Sequence, residues 1–162
     1  MPSLSRFRVR PMTEGDLDRV AALEFETFGR EAWPFPVFAE LLRAFARAEP
    51  TRGELWVAED PQTGELLGYA GVEVSALGGE ADLINIAVAS AHRRRGVGRA
   101  FIRRAISLGR RLGVPLLWLR VRASNAEAQR FYARMGFHER GQFAGYYADP
   151  PEPAIIMAMD VE

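Results

Sequence analysis

An arginine-rich loop with two glycines stands where an apolar strand would run into a helix. The strand-like segment is Asn85-Ile86-Ala87-Val88, and four residues later Arg93-Arg94-Arg95-Gly96-Val97-Gly98-Arg99 opens a helical pattern. The first turn of a helix offers N–H groups that lack intrahelical partners, together with the positive end of the helix dipole. Glycine lets a ligand approach the backbone closely, and arginine adds charge-assisted hydrogen bonds to oxyanions. The pattern predicts a phosphate-binding cradle, although in isolation it suits a solvated helix start equally well.

Other motifs for phosphates, metals and nucleophilic catalysis are missing from the sequence. It contains neither G-x-G-x-x-G nor G-K-[ST], so the loop is not a dinucleotide fingerprint or a Walker loop. It has no Cys, which excludes disulfides, thiolate metal sites and nucleophilic catalysis by cysteine. With two His in the chain, His92 and His138, we expect no metal site, and we expect both His on the surface.

Composition and charge are typical of one globular domain, which we expect to span residues 1–162. Hydrophobic residues make up 48% of the chain, and 21 basic residues, all of them Arg, balance 21 acidic residues. A net charge of zero gives no overall field that would steer the protein to nucleic acid or to an anionic membrane. Residues 1–11 lack a secretory apolar segment, and no apolar run reaches the roughly 18 residues of a membrane span. We therefore expect a cytoplasmic protein, monomeric or homodimeric, with no nucleic-acid or membrane partner.

The periodicity of apolar residues predicts a mixed fold. Strand-like patterns cover residues 7–10, 55–59, 66–75, 81–88, 116–121, 137–143 and 154–160. Helical spacing begins after Thr13 with an apolar face that includes Phe25, and it resumes from Phe38, at Gly96 and at Asn125. Trp33-Pro34-Phe35-Pro36 is predicted to be a turn between the first two helices, and Gly78-Gly79 a break between two strands. The fold class is α/β (α+β), with about seven strands and about four helices.

Several segments, in order from residue 85 to the end of the chain, resemble the GNAT superfamily of acetyl-CoA-dependent N-acetyltransferases. The family's pyrophosphate loop has the form [QR]-x-x-G-x-[GA], which Arg93, Gly96 and Gly98 match. Within the superfamily the sequence is most similar to bacterial ribosomal-protein-alanine N-acetyltransferases. The segments that carry this similarity are Asn85–Val88, Gly96–Ala100, Leu117–Leu119, Val121–Asn125, Phe131-Tyr132, Gly136-Phe137, Gly145-Tyr146-Tyr147 and Ala154–Met157.

The resemblance implies a single-domain GNAT fold, with a mostly antiparallel twisted sheet and acetyl-CoA as cosubstrate between two diverging strands. Ile86, Ala87 and Val88 would pair with the pantetheine arm and offer an N–H to the acetyl carbonyl. Main-chain amides of Arg94, Arg95, Gly96, Val97, Gly98 and Arg99 would hold the pyrophosphate. Asn125 would contact the cofactor arm.

Tyr132 matches the family's tyrosine that protonates the departing thiolate. The chemistry suits a phenol, because its pKa near 10 keeps it protonated at neutral pH beside a thiol that titrates near 8.5. The alternative for Tyr132 is an ordinary core aromatic on an amphipathic helix.

The sequence departs from the alanine-acetylating enzymes at the general base. Their glutamate on the strand that begins at Leu117 is replaced by Arg120, which accepts no proton. Asp82 is our first substitute, since strand alternation would place it on the same face as Ile84 and Ile86 unless a bulge intervenes. Glu80, Glu73, Glu24 and Glu26 are held in reserve. The alternatives for Asp82 are a solvated strand end or a structural ion pair with Arg120.

The resemblance also implies an acceptor groove. Tyr146 and Tyr147 match a tyrosine pair that lines the substrate backbone, and Trp33 would form the opposite wall, although packing is an equally good role for Trp33. Arg120 would repel a basic peptide and attract an acidic substrate.

We expect direct acetyl transfer to a primary amine, which is a protein N-terminus by resemblance. A missing strong base favours an α-amine, whose pKa near 7.7 to 8.0 lies far below the 10.4 of lysine. The alternatives are a small-molecule amine acetyltransferase and a catalytically silent acyl-CoA-binding sensor.

Overall fold

The structure is a computed structural model that describes residues 6–49, 51–75 and 79–161. Four helices lie against one seven-stranded sheet. The strands are β1 (Arg8–Pro11), β2 (Gly53–Glu59), β3 (Leu66–Val74), β4 (Glu80–Val88), β5 (Leu116–Arg122), β6 (His138–Ala148) and β7 (Pro151–Asp160). The helices are α1 (Leu17–Phe28), α2 (Phe35–Arg47), α3 (Val97–Leu112) and α4 (Ala126–Arg134). The predicted fold class is confirmed.

The sheet has the order β1-β2-β3-β4-β5-β7-β6, and every neighbouring pair is antiparallel except β4 with β5. Helices cover both faces, so the central strands β2 and β3 are mostly buried, whereas β6 at the edge of the sheet is exposed. Alternation along β2 shows the two faces: Trp56 and Ala58 pack with Phe101 of α3, whereas Leu55 and Val57 pack with α1 and α2.

Helix α2 begins earlier than the sequence predicts. The Trp33-Pro34-Phe35-Pro36 segment was expected to be a turn, but α2 starts at Phe35, with Pro34 as N-cap and Pro36 in the first turn. The missing N–H of a proline is harmless there, because the first N–H groups of a helix have no intrahelical partner. Trp33 consequently lies just before the start of α2.

The buried face of α1 also differs from the prediction. Its buried residues are Leu17, Val20, Leu23 and Glu24, whereas Phe25, assigned to the apolar face, is 68% exposed. A polar side chain therefore faces the sheet, and a large aromatic side chain faces solvent. Gly78 of the predicted Gly78-Gly79 break lies outside the described residues.

Strand β4 carries a bulge in its middle. Gly71 of β3 pairs with Asn85 and Val72 pairs with Leu83, which leaves Ile84 without an opposite residue. A bulge reverses the alternation of side chains beyond it. Asp82 and Ile84 therefore face α1 and α2, but Ile86 packs on the α3 side. The expectation that Asp82, Ile84 and Ile86 share a face is wrong for Ile86.

Strands β4 and β5 separate after a short parallel ladder. They pair at Glu80 with Leu116, Ala81 with Leu117 and Asp82 with Trp118, and no later pair is formed between the two described strands. The remainder of β4 runs on to the arginine loop, while β5 continues toward Arg122. A cleft thus opens in the middle of the sheet directly after Asp82.

Candidate active site

The arginine loop joins the end of β4 to the start of α3. Gly96 is the N-cap of α3 with φ of +88°, a left-handed conformation that glycine adopts without strain. The first hydrogen bond of the helix runs from the Ala100 N–H to the Gly96 carbonyl, at 3.0 Å. The N–H groups of Val97, Gly98 and Arg99 therefore precede the helical ladder and lie at its positive end.

Gly98 has a different reason to be glycine. A Cβ at this position would lie 3.2 Å from the ring of Phe131, so Gly98 permits close packing of α3 against α4. The loop arginines are exposed, and within the described part of the chain Arg94, Arg95 and Arg99 have no acidic partner. The Arg93 side chain bonds the Val88 carbonyl through Nε at 3.3 Å and ties the loop to β4. The predicted cradle thus has free positive charge and helix N–H groups in one place.

Helix α4 carries the other two residues predicted near the cofactor. Asn125 is its N-cap and accepts a hydrogen bond from the Ala128 N–H at 3.1 Å. Tyr132 is buried, with its ring 5.3 Å from Phe131 and 5.7 Å from Phe137 between centroids. Burial raises the pKa of Tyr132 well above its usual value, and the neighbouring Tyr147 adds to the shift. The phenol is therefore a proton donor at every physiological pH.

A second region is a cavity of about 500 Å³ at the point where β4 and β5 separate, on the side of α1 and α2. It brings together three of the predicted residues, Trp33, Asp82 and Arg120. Its lining consists of Trp33, Val37, Leu41, Glu73, Ser75, Glu80, Asp82, Ile84, Trp118 and Arg120.

Asp82 combines two of the roles considered for it. Its Oδ2 accepts a hydrogen bond from Nη2 of Arg120 at 2.8 Å, so the ion pair forms. Its Oδ1 is buried and has no hydrogen-bond partner among the described residues. Burial raises the pKa of Asp82 to about 6, a shift that Arg120 opposes and that the carboxylates of Glu73 and Glu80 increase. An ion-paired carboxylate with a free oxygen and a pKa near neutrality is suited to accept a proton.

Arg120 is held between aromatic rings. Its guanidinium lies 4.8 Å from the ring centre of Trp118 and 5.4 Å from that of Tyr146. Two residues along β5, Arg122 lies 4.2 Å from the ring centre of Tyr147. Both predicted groove tyrosines therefore rest on arginines of β5, and Tyr146 borders the cavity through Arg120. Strand β6 was predicted to end at Phe143, but it extends to Ala148 and carries both tyrosines.

Glu24, one of the reserve carboxylates, is the acidic residue whose importance the sequence did not indicate. It is 2% exposed and accepts hydrogen bonds from the Trp33 N–H at 3.1 Å and from the Asn85 side-chain amide at 3.0 and 2.9 Å. Burial raises the pKa of Glu24, although these donors oppose the shift. The Asn85 side-chain oxygen in turn accepts the Ile86 N–H at 2.9 Å. Glu24 thus links the residue before α2 to the bulge of β4, while Glu26 is exposed.

One minor expectation is wrong. His92 is not a surface residue: its side chain is 13% exposed, and its Nε2 lies 3.1 Å from Oε1 of Glu65.

A family model described as the acetyltransferase (GNAT) family matches residues 17–137, which is most of the chain. The chain belongs to the GNAT family. It is therefore an N-acetyltransferase of the kind that uses acetyl-CoA.

Individual relatives agree with the family match. The [ribosomal protein bS18]-alanine N-acetyltransferase of Escherichia coli is 41% identical over 102 residues, covering 62% of this chain and 68% of that protein. Streptothricin acetyltransferase of Streptomyces lavendulae is 38% identical over 99 residues, covering 59% and 52%. The crystal structure of Ard1 from Thermoplasma volcanium superposes with a TM-score of 0.83 at 26% identity, covering 97% of this chain and 99% of the other.

No helix among the described residues is long and apolar enough to cross a membrane. Residues 6–49, 51–75 and 79–161 contain no group of three His, Asp or Glu side chains placed to hold a metal ion.

The pair between Asp82 and Arg120 gives a direct electrostatic prediction. In Arg120→Gln the pKa of Asp82 should rise from about 6 by about one unit or more, because burial and the neighbouring glutamates would act unopposed. Carboxyl carbon NMR titration measures this shift. Arg122→Gln, a change two residues along the same strand at similar exposure, should leave the Asp82 titration in place. An Asp82 midpoint that stays near 6 in Arg120→Gln would show that the ion pair does not control it.

Proposed function

We propose that this GNAT protein acetylates the α-amine of a protein N-terminus, with Asp82 as the general base and Tyr132 as the general acid. The observation that carries the proposal is the Asp82 carboxylate, which lines the cavity beside the strand cleft with one buried oxygen free of partners. The E. coli relative named as an alanine N-acetyltransferase of a ribosomal protein supports the same acceptor class.

The strength of the base favours an α-amine over a lysine-like amine. An α-ammonium with a pKa near 7.8 is about two units less acidic than an Asp82 carboxyl of pKa about 6. Proton transfer to Asp82 then costs about 2.5 kcal/mol, at 1.36 kcal/mol per unit. For an amine of pKa near 10.4 the same transfer costs about 6 kcal/mol. Asp82 is therefore an adequate base for a terminal amine and a poor one for an amine of lysine type.

The residues of the arginine loop and of the cleft fit acetyl-CoA, which supplies an acetyl group activated as a thioester. The helix N–H groups of residues 97–99 and the unpaired arginine side chains suit a pyrophosphate. Beyond Asp82 one edge of β4 has no neighbouring strand. The backbone N–H and C=O groups on that edge can therefore pair with the amide groups of the cofactor's pantetheine arm. We assign the loop from Arg94 to Arg99, the strand segment Ile86–Val88 and Asn125 to cofactor binding.

Each proposed catalytic group has one task. Asp82 accepts a proton from the terminal ammonium group, and the neutral amine then attacks the acetyl carbon. The second proton, which the nitrogen loses as the amide forms, passes to solvent, and so in turn does the proton on Asp82. Backbone N–H groups of Ile86–Val88 hold the carbonyl oxygen, although the Ile86 N–H already donates to Asn85. Tyr132 gives its proton to the sulfur as the carbon–sulfur bond breaks, and solvent restores it. The lack of Cys restricts the chemistry to this direct route.

Exposed apolar side chains in and near the cavity lining support a polypeptide acceptor. Val37 in the lining is 37% exposed, Phe35 in the same turn of α2 is 40% exposed, and Tyr146, which contacts the lining residue Arg120, is 41% exposed. Exposed apolar side chains around a cleft are typical of a surface that binds another chain.

A small-molecule amine is the second candidate. Streptothricin acetyltransferase is similar in sequence, and a cavity of about 500 Å³ is large enough for a small amine.

Release of free thiol from acetyl-CoA decides between the candidates. We expect release with a peptide that begins with alanine, and none with the same peptide blocked at its N-terminus but containing lysine. Turnover confined to small amines would favour the second candidate. Binding of CoA by calorimetry without turnover of any acceptor would contradict the proposal altogether.

Asp82→Asn tests the base through the pH profile. In the wild type, kcat/KM should fall as the pH drops through about 6, because a raised pKa leaves Asp82 protonated below that value. The variant should approach wild-type rates near pH 9, where the amine is already neutral, and fall about tenfold or more near pH 7. Glu24→Gln is the comparison. An unaltered profile in Asp82→Asn together with this change in Glu24→Gln would assign the base to Glu24.

Tyr132→Phe should lower kcat by about 10- to 1,000-fold at little cost in CoA affinity, because only the proton donor is removed. Tyr69→Phe is a matched control, since Tyr69 is a buried tyrosine whose hydroxyl has no partner among the described residues. Its turnover should stay within about twofold of wild type. Equal rates for Tyr132→Phe and wild type would remove Tyr132 from the reaction.

A further inference from the structure

The acceptor cavity holds more negative charge than catalysis by Asp82 requires. Three carboxylates line it, those of Glu73, Glu80 and Asp82, against the single guanidinium of Arg120. Arg120 is bonded to Asp82 at 2.8 Å and stacked on Trp118, so its charge is already balanced. The expectation that Arg120 attracts an acidic substrate therefore finds no support, and the surplus charge is negative.

The strand register brings the three carboxylates close together. Glu73 of β3 is the direct cross-strand partner of Asp82, and Glu80 precedes Asp82 by two residues on the same face of β4. Directly opposite side chains have Cβ atoms about 5 Å apart, and residues two apart on a strand lie about 7 Å apart. Like charges at such positions destabilise a sheet. The effect is visible at Asp82, whose pKa both glutamates raise.

Within the described residues no cation neutralises the glutamate pair. Neither the Glu73 nor the Glu80 side chain takes part in an ion pair or a side-chain hydrogen bond there. The neighbouring residues 76–78 are Ala, Leu and Gly, none of which carries a charge. Both carboxylates are therefore available to pair with a cationic ligand.

We propose that the acceptor carries a second positive charge about 7 Å from the reacting amine, and that Glu73 and Glu80 bind it. This inference rests on the proposed function of the cavity as the acceptor site. With the amine at Asp82, the two glutamates lie farther along the cavity wall, and the same cavity is lined by Trp33, whose ring suits contact with a cation. An arginine or lysine at the second or third position of a peptide satisfies this spacing, because an extended chain advances about 3.4 Å per residue. A diamine with a four-carbon spacer satisfies it as well.

Three peptides identical except for Arg, Gln or Glu at the second position test the inference. For the wild type we expect kcat/KM to be about tenfold higher with Arg than with Gln, and lowest with Glu. The preference should shrink toward one in about 1 M salt, where charges are screened within about 3 Å. Equal rates with all three peptides would overturn the inference.

Variants of Glu73 and Glu80 test whether these two residues cause the preference for the Arg peptide. In the double variant Glu73→Gln and Glu80→Gln, the ratio of kcat/KM for the Arg peptide to that for the Gln peptide should fall close to one. The control Glu14→Gln changes an exposed glutamate in the turn before α1 and should keep the wild-type ratio. Glu80→Arg, at an exposed position, should reverse the order and favour the Glu peptide. A preference that survives in both cavity variants would refute the role of the glutamates.

Comparing peptide and diamine acceptors distinguishes failure of this inference from failure of the proposed function. If 1,4-diaminobutane is acetylated and no peptide is, the proposed protein acceptor fails. The inference then holds only when KM for the diamine rises about tenfold in the double variant while KM for a monoamine of equal length does not.

Discussion

The parting of β4 from β5 is the constraint on which the rest of the molecule depends. Two parallel neighbours in the middle of a sheet normally satisfy each other's backbone N–H and C=O groups along their whole length, yet these two pair at only three positions. Beyond Asp82 the facing edges have no partner strand. Such a gap is stable only where polar groups or solvent reach it, so it fixes the place where a ligand with amide groups can lie. The arginine loop lies at one end of the gap, and the cavity that Asp82 lines lies at the other.

The bulge at Ile84 determines which face of the sheet each later side chain of β4 points to. Without it, Asp82 and Ile86 would point to the same side of the sheet, and Asn85 would point away from α1. With it, Asn85 reaches the buried Glu24, whereas Ile86 packs on the α3 side. The inserted residue therefore turns Asn85 toward Glu24, on the same side of the sheet as Asp82, and burial raises the pKa of both carboxyl groups. They differ in access, because Asp82 lines the cavity while Glu24 is 2% exposed and surrounded by neutral donors.

Features that depend on a few neighbouring residues could be predicted from the sequence, whereas features that depend on contacts with distant strands could not. The cradle followed from Gly96 and the arginine run, since glycine and helix capping act within a few residues. The ion pair of Asp82 with Arg120 was foreseen as an alternative because it needs only neighbouring strands. The bulge was not predictable, because Asp82 to Val88 reads as an ordinary strand and the missing partner of Ile84 is a property of β3. Phe25 was expected on the buried face of α1, and the adjacent Glu24 lies there instead, because helical spacing cannot tell which of two adjacent residues the sheet will cover.

Arg120 shows how the loss of a base at one position is compatible with catalysis at another. An arginine cannot accept a proton, but beside a buried carboxylate it limits how far burial raises that group's pKa. Without a cation, Asp82 would face two further carboxylates in a poorly solvated cavity and would be protonated over more of the neutral range. The aromatic rings of Trp118 and Tyr146 hold the guanidinium in the position that keeps Asp82 ionised near pH 7. In the proposed mechanism the base therefore lies on β4, and its strength depends on the arginine that stands on the neighbouring strand β5.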